Sequence, residues 1–311
     1  MFTERVVQTG KGRLHFRRET LTGLSCRIST ERIRRGIDRS DCPPFPAEGC
    51  PFCPGNLPAD TPVFPDGRRI LVGESVTFPN LYPFAGWHTV TVITRDHMVP
   101  AFTERQISDA LGGQVRSLLG HDGYPSLNWN YLPSAGASLA HPHLQGVVDS
   151  VPSPLPGRYL EGSERYLQER GLSYWDDVAK AEREAGRVIM DGEILWFAQP
   201  VPLGEKEIRG ILPVSHLSEL CPVIPSLARD LLRIIAFYRE IGTHAFNCSL
   251  FLDREGSVGR GFRAFCSVIA RINPNSLSLS DSAFMERLHL EPVILTLPED
   301  LARLYREKMR E

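Results

Sequence analysis

The run Asn130-Tyr131-Leu132-Pro133-Ser134-Ala135-Gly136-Ala137-Ser138-Leu139-Ala140-His141-Pro142-His143-Leu144-Gln145 carries the densest chemistry in the chain. In an extended segment, residues two apart share a face, so His141, His143 and Gln145 line one side. Pro142 removes a backbone donor and sets φ between the two histidines, which stiffens their presentation. Gly136-Ala137-Ser138 is small enough to let a phosphate approach the backbone. Alternating histidines on a strand often serve as surface or metal residues. The glycine, serine and glutamine around this pair favour phosphoryl-group capture, because neutral imidazole is nucleophilic near pH 7. His143 is the expected nucleophile.

Working outward, the chain repeats itself. Pro83 to His97 and Pro202 to His216 both run from proline through a strand to a histidine, 119 residues apart, and then enter a helical pattern. Asn128-Trp129-Asn130-Tyr131 and Asn247-Cys248-Ser249-Leu250 stand at the same offset. Strand-like runs fall at 24–29, 89–94, 127–131, 144–148, 194–198, 208–213, 249–252 and 262–272. Helical periodicity falls at 103–119, 162–185, 224–241, 282–288 and 298–309, and the acidic residues of the second of these (Asp176, Asp177, Glu182, Glu184) read as a solvated face. The expected fold is α+β. It has two tandem copies of one unit, residues 1–190 and 191–311, with largely antiparallel sheets flanked by helices.

Cys50-Pro51-Phe52-Cys53, followed by Pro54-Gly55-Asn56, is a knuckle-like turn whose sulfurs can share a tetrahedral ion. Redox use and core packing are open alternatives, although no helix obviously starts at the first cysteine to lower its pKa. His97 and His141 are the obvious donors to complete a Cys2His2 zinc site, leaving His143 for chemistry. The other five of the seven cysteines (Cys26, Cys42, Cys221, Cys248, Cys266) are isolated and read as small buried hydrophobes. A net charge of −2, with no basic run longer than the Arg32–Arg35 cluster, argues against a nucleic-acid partner. No stretch approaches the roughly 20 apolar residues of a membrane span. The N-terminus lacks a signal peptide's apolar core, so a cytoplasmic protein is expected.

The knuckle, the Gly86-x-His88…His97 element and the Asn130…Gly136-x-Ser138-x-x-His141-Pro142-His143-x-Gln145 run together resemble the galactose-1-phosphate uridylyltransferase family, the transferase branch of the histidine-triad superfamily. The resemblance spans nearly the whole chain. It implies Cys50, Cys53, His97 and His141 as zinc ligands and His143 as the nucleotidylated nucleophile. It also implies Asn130, Gly136, Ser138 and Gln145 around the phosphates and the transferred group. Arg32 and Arg35 resemble the family's phosphate-contacting arginines, and Asn80 resembles a nucleoside-contacting position. His88 fits either a site-edge contact or a structural histidine. Further implications are nucleotide-sugar and sugar-phosphate substrates, a place in galactose metabolism and a homodimer. Phe284-Met285 resembles the start of the hexose-phosphate-binding helix, but Ala283 and His289 depart from that pattern. Asp253 and the histidine-free stretch Phe265–Pro274 depart from the family's second metal site.

Uridylyl transfer from UDP-glucose to a hexose 1-phosphate is the expected activity. A phosphorylase or adenylyltransferase acting on ADP-sugars or diadenosine polyphosphates is the alternative. A zinc-stabilised nucleotide-binding protein without turnover is the second.

Overall fold

The computed structural model describes residues 1–10, 12–35, 47–272 and 281–309, except for the side chains of residues 33–35. Ten of the fourteen strands among the described residues build one sheet. Its first half comprises β4 (Ile70–Val72), β5 (Ser75–Pro79), β6 (Trp87–Val92), β7 (Tyr124–Tyr131) and β8 (His143–Asp149). Its second comprises β9 (Val188–Asp191), β10 (Leu195–Ala198), β11 (Ile208–Ile211), β12 (Ala245–Phe251) and β13 (Phe265–Arg271). The ten strands lie in the order β4-β5-β6-β8-β7-β12-β13-β11-β10-β9, which reads the same from either edge once each strand is exchanged for its counterpart. The repeat is therefore a pseudo-twofold through the antiparallel β7–β12 pair, where Trp129 lies opposite Cys248, its own counterpart at the 119-residue offset.

Alternation along these strands sorts the two faces. Leu127, Trp129, Leu144, Cys248, Leu250, Cys266 and Val268 point to one side and belong to a single large core. Helices α2 (Glu104–Leu118) and α5 (Ile224–Glu240), one from each repeat, cover it with their apolar stripes. Thr103 opens α2 with a capping box shared with Gln106. Gly146 of β8 lets α2 come close, since a Cβ there would lie 1.9 Å from Gln114 Nε2. Gln114 is buried and bonds Thr91 and Thr89 of β6.

The opposite face is covered at its two ends and carries polar side chains between them. Over the first half, Phe52 and Leu57 of the knuckle and the short helix α1 (Leu57–Asp60) pack on Phe78, Val90 and Val92. Over the second half lie α3 (Pro154–Arg170) and α4 (Tyr174–Glu184), whose Tyr159, Tyr174 and Trp175 cluster with Phe197, Phe262 and Phe265. The single helix expected over 162–185 is thus two, separated by Gly171 in the left-handed region at φ 67°. Its acidic face is only partly solvated: Glu182 is fully buried against Arg187 at 2.6 Å.

A separate four-stranded sheet, β1-β2-β3-β14, joins β1 (Phe2–Thr9), β2 (Gly12–Glu19) and β3 (Ser25–Ile28) to β14 (Val293–Ile294). The chain ends with α6 (Phe284–Arg287) and α7 (Pro298–Lys308). No helix among the described residues is long and apolar enough to cross a membrane. Cys26, Cys248 and Cys266 are buried as expected, Cys221 is exposed, and Cys42 lies outside the described residues.

Candidate active site and metal cluster

The knuckle brings Cys50 and Cys53 against His97, which follows β6, and His141, which precedes β8. The four ligand atoms lie within 4.8 Å of one another. Cys50 Sγ and Cys53 Sγ are each 3.7 Å from His141 Nδ1, and Cys53 Sγ is 3.6 Å from His97 Nδ1. Tetrahedral zinc, with bonds of about 2.3 Å to sulfur and 2.0–2.1 Å to nitrogen, sets sulfur and nitrogen about 3.5–3.6 Å apart. The donor set and its spacing therefore fit one such ion. His141 Nε2–H donates to the Thr94 carbonyl at 2.8 Å, which leaves Nδ1 with its lone pair towards the cluster. Burial and then the Cys50 sulfur push the Cys53 thiol up, so its thiolate is held best with a cation beside it.

His143 opens β8 two residues later. Its ring is buried, and Nδ1–H donates to the backbone carbonyl of His141 at 2.8 Å. That bond selects the tautomer with a bare Nε2, which has no hydrogen-bond partner among the described residues. Burial pushes the imidazole pKa down, with the His141 carbonyl bond opposing it, so the ring is held neutral. Phe52, between the two cysteines, sets its ring 5.2 Å from His143 and 6.2 Å from His141. The knuckle thereby meets the start of β8 through carbon as well as through its sulfurs.

Gln145 shares the face of His143. Its side-chain oxygen lies 2.9 Å from Nε2 of His88, and Asn80 Nδ2 lies 3.1 Å from the same nitrogen. The Tyr82 amide donates to Asn80 Oδ1 at 2.9 Å and so turns Nδ2 towards His88. Asn80, just past β5, His88 of β6 and Gln145 of β8 thus form one polar group, in which His88 Nε2 serves either Gln145 as donor or Asn80 as acceptor. Asn128 lies opposite Gln145 as the last pair of the β7–β8 ladder, and the same register continued by two residues would set Asn130 opposite His143. Gly136 ends the turn after β7 at φ 85°, where a side chain would be strained although space is open around it. Ser138, in the loop from that turn to β8, is exposed.

The expected residues thus fall into groups. Cys50, Cys53, His97 and His141 meet at one point, and His143, Gln145, Asn80 and Asn130 share the adjoining polar face. Arg32 is not in this group but lines a cavity of about 450 Å³ with Arg271, α6, β14 and Asn247, the last of which is bonded to Asn130. The Arg35 side chain lies outside the described residues. Sequence reasoning passed over Phe52, the Thr94 carbonyl, Asn247 and Arg271. Of these only Asn247 left a signal, as a member of the repeated segment.

The architecture has known counterparts. It is similar to an ADP-glucose phosphorylase from Arabidopsis thaliana solved with bound ADP-glucose (TM-score 0.74, 17 % identity, covering 94 % of this chain and 98 % of that one). It is also similar to a GalT-like protein from Arabidopsis thaliana (TM-score 0.73, 18 % identity, 95 % and 99 % covered). A uridylyltransferase structure matches at TM-score 0.70 with 19 % identity, over 94 % of this chain and 97 % of that one. The fold is the one these ADP-glucose phosphorylase, GalT-like and uridylyltransferase structures share. In sequence, an uncharacterized protein of Archaeoglobus fulgidus is 27 % identical over 269 residues, 83 % of this chain and 81 % of that protein. No family model matches the chain.

Proposed function

We propose that the protein is a nucleotidyltransferase that carries a nucleoside monophosphate on His143 Nε2, and that UDP-glucose and a hexose 1-phosphate are its donor and acceptor. The observation that carries the reading is the His143 ring: Nδ1 is tied to its own segment's carbonyl and Nε2 is left bare on a polar face. The Nε2 lone pair attacks the α-phosphorus, and the bond to the bridging oxygen breaks to release the sugar phosphate. The imidazolium formed keeps its Nδ1 proton on the His141 carbonyl. A phosphate oxygen of the acceptor then attacks the same phosphorus and returns the electron pair to Nε2. Gln145, Asn130, Ser138 and the amides near Gly136 serve the non-bridging oxygens, since phosphoryl transfer rests on positioning and charge stabilisation.

Zinc held by Cys50, Cys53, His97 and His141 would be closed by four protein ligands. Its role is to brace the strand, not to meet substrate. Arg32, Arg35 and Asn80 are assigned to substrate binding on the resemblance of their sequence positions, and 1–190 and 191–311 are taken as the approximate repeat units, the boundary falling within β9 (Val188–Asp191) of the second.

An adenylyl reading is favoured by one observation, that Ala283 and His289 frame α6 where the uridylyltransferase pattern has other residues. Intact-mass analysis after incubation with UDP-glucose and, separately, ADP-glucose decides. A uridylyl adduct that is acid-labile and missing in His143→Asn is the expected result. An adenylyl adduct alone selects the second reading, and no adduct with either nucleotide overturns both.

A further inference from the structure

The second repeat reaches the polar face of the first through Ser249, which donates to Asn128, and above all through Asn247. Asn247 lies opposite Asn130 in the central β7–β12 pair, and all of its amide valences but one oxygen lone pair are occupied. Its Oδ1 accepts from Arg271 Nη1 at 2.7 Å, and its Nδ2 donates to Asn130 Oδ1 at 2.7 Å and to the Ala135 carbonyl at 2.8 Å. Two of these partners settle which end of the amide is which. A guanidinium can only donate, so the atom facing Arg271 is oxygen. A backbone carbonyl can only accept, so the atom facing Ala135 is nitrogen. Nitrogen is then also what Asn130 meets, and Asn130 must answer with its oxygen. Its own Nδ2 is left over. Arg271 is itself held by Asp281, on which it sets both Nε (2.8 Å) and Nη2.

We propose that Asn247 is a positioning residue that fixes the polarity of the Asn130 amide, so that Asn130 presents N–H rather than C=O to an anionic phosphoryl oxygen beside His143. An unanchored asparagine can offer either end to a ligand. Here the orientation is imposed before any ligand arrives, which is how donors stabilise charge without reorganising. The same Asn247 amide holds the Ala135 carbonyl and so pins the turn that leads into Gly136. The second repeat, which has Phe265 and Ser267 where the first has His143 and Gln145, acts on the first repeat's chemistry through this strand pair.

The inference deepens the proposed function, on which only its kinetic consequence rests. Asn247→Asp is the deciding variant: it keeps the shape and the Arg271 partner but cannot donate. Asn130 must then turn its Nδ2 towards the new carboxylate and its oxygen towards the phosphate. Nucleotidylation of His143, timed by rapid quench and intact mass, is expected to slow by about 100-fold, the scale for losing one such donor, with the loss in kcat rather than KM. Arg271→Met is expected to slow it as well, and Arg271→Lys to recover most of that loss.

A second readout needs no turnover. With asparagine amides labelled and Asn130 assigned by its loss in Asn130→Asp, the Asn130 side-chain protons are expected to shift on adding UMP or AMP to the wild type. In Asn247→Asp they are expected to be already bonded and unresponsive. Labelling within twofold of wild type, or an Asn130 amide signal untouched by Asn247→Asp, overturns the inference. If the wild type forms no adduct the proposed function fails, and the amide signal alone decides this inference.

Discussion

At the scale of single residues, the first repeat's site is a set of side chains whose orientations are set by their neighbours. His141 is turned by the Thr94 carbonyl and His143 by the His141 carbonyl. His88 belongs to the same set, and burial pushes its pKa below the ordinary histidine value, with Gln145 opposing the shift. A depressed histidine pKa means that the unfolded chain takes the proton first. The stabilising contribution is therefore complete above the unfolded value of about 6.5 and is lost as pH falls through the folded value. His88→Gln keeps an amide near Asn80 and Gln145 but has no proton to gain. The fall in Tm between pH 7 and pH 5 is expected to be smaller in this variant than in the wild type, and scanning calorimetry at the two pH values checks it. An equal fall would show that His88 titrates as it does in the unfolded chain. Much of this site was legible in advance, because His141, His143 and Gln145 sit at strand spacing beside a small-residue turn. The polarity of the amides was not, since it depends on Arg271, more than a hundred residues from Asn130 in sequence.

At the scale of elements, most strands that bury an apolar face announced themselves by alternation; β5, too short a run although Phe78 is buried on it, and the strands with little apolar burial were missed. The β1–β2 hairpin is largely exposed along β1, even at Val6 and Val7, so nothing in its sequence has the period of a buried face. The short strands β4 and β9 lie at the two edges of the large sheet and are equally silent. The helix expected across 162–185 failed for a different reason: Gly171 stops α3, and Ser173 starts α4 in a new direction. Packing between α2 and the sheet is close enough to be tested. Gly146→Ala would drive a methyl into Gln114, whose bonds to Thr89 and Thr91 fill a buried space. The expected loss is about 1–3 kcal/mol, the usual range for overpacking, read from urea unfolding at unchanged m-value. A loss under 0.5 kcal/mol would mean that α2 moves freely.

At the scale of the whole molecule, the two repeats are copies in topology and unequal in use. The second repeat's counterpart of the His143 face is sealed by aromatic side chains of α3 and α4. Beneath them Arg209 is fully buried, bonded to Glu207 and Tyr159. Buried polar groups of this kind persist only when paired, and here the pairing consumes the face that chemistry would need. Metal would tie the first repeat's covering knuckle to the same sheet. Removal of the ion by a chelator is expected to lower Tm in a single cooperative transition that zinc restores, and Cys50→Ser is expected to start at the lowered value. Native protein free of zinc by elemental analysis, or a Tm indifferent to chelation, would defeat the assignment.

The antiparallel contact between β7 and β12 has a consequence for any attempt to halve the protein. A fragment ending after β8 would leave β7 as a bare margin of hydrogen-bonding groups over Leu127 and Trp129, which in the intact chain lie against Leu250 and Cys248. Such an unpaired margin is a template for another strand. Because the lost partner was a counterpart of β7 running antiparallel to it, the nearest substitute is β7 of a second fragment. The isolated half should either pair with itself about a true twofold axis or precipitate.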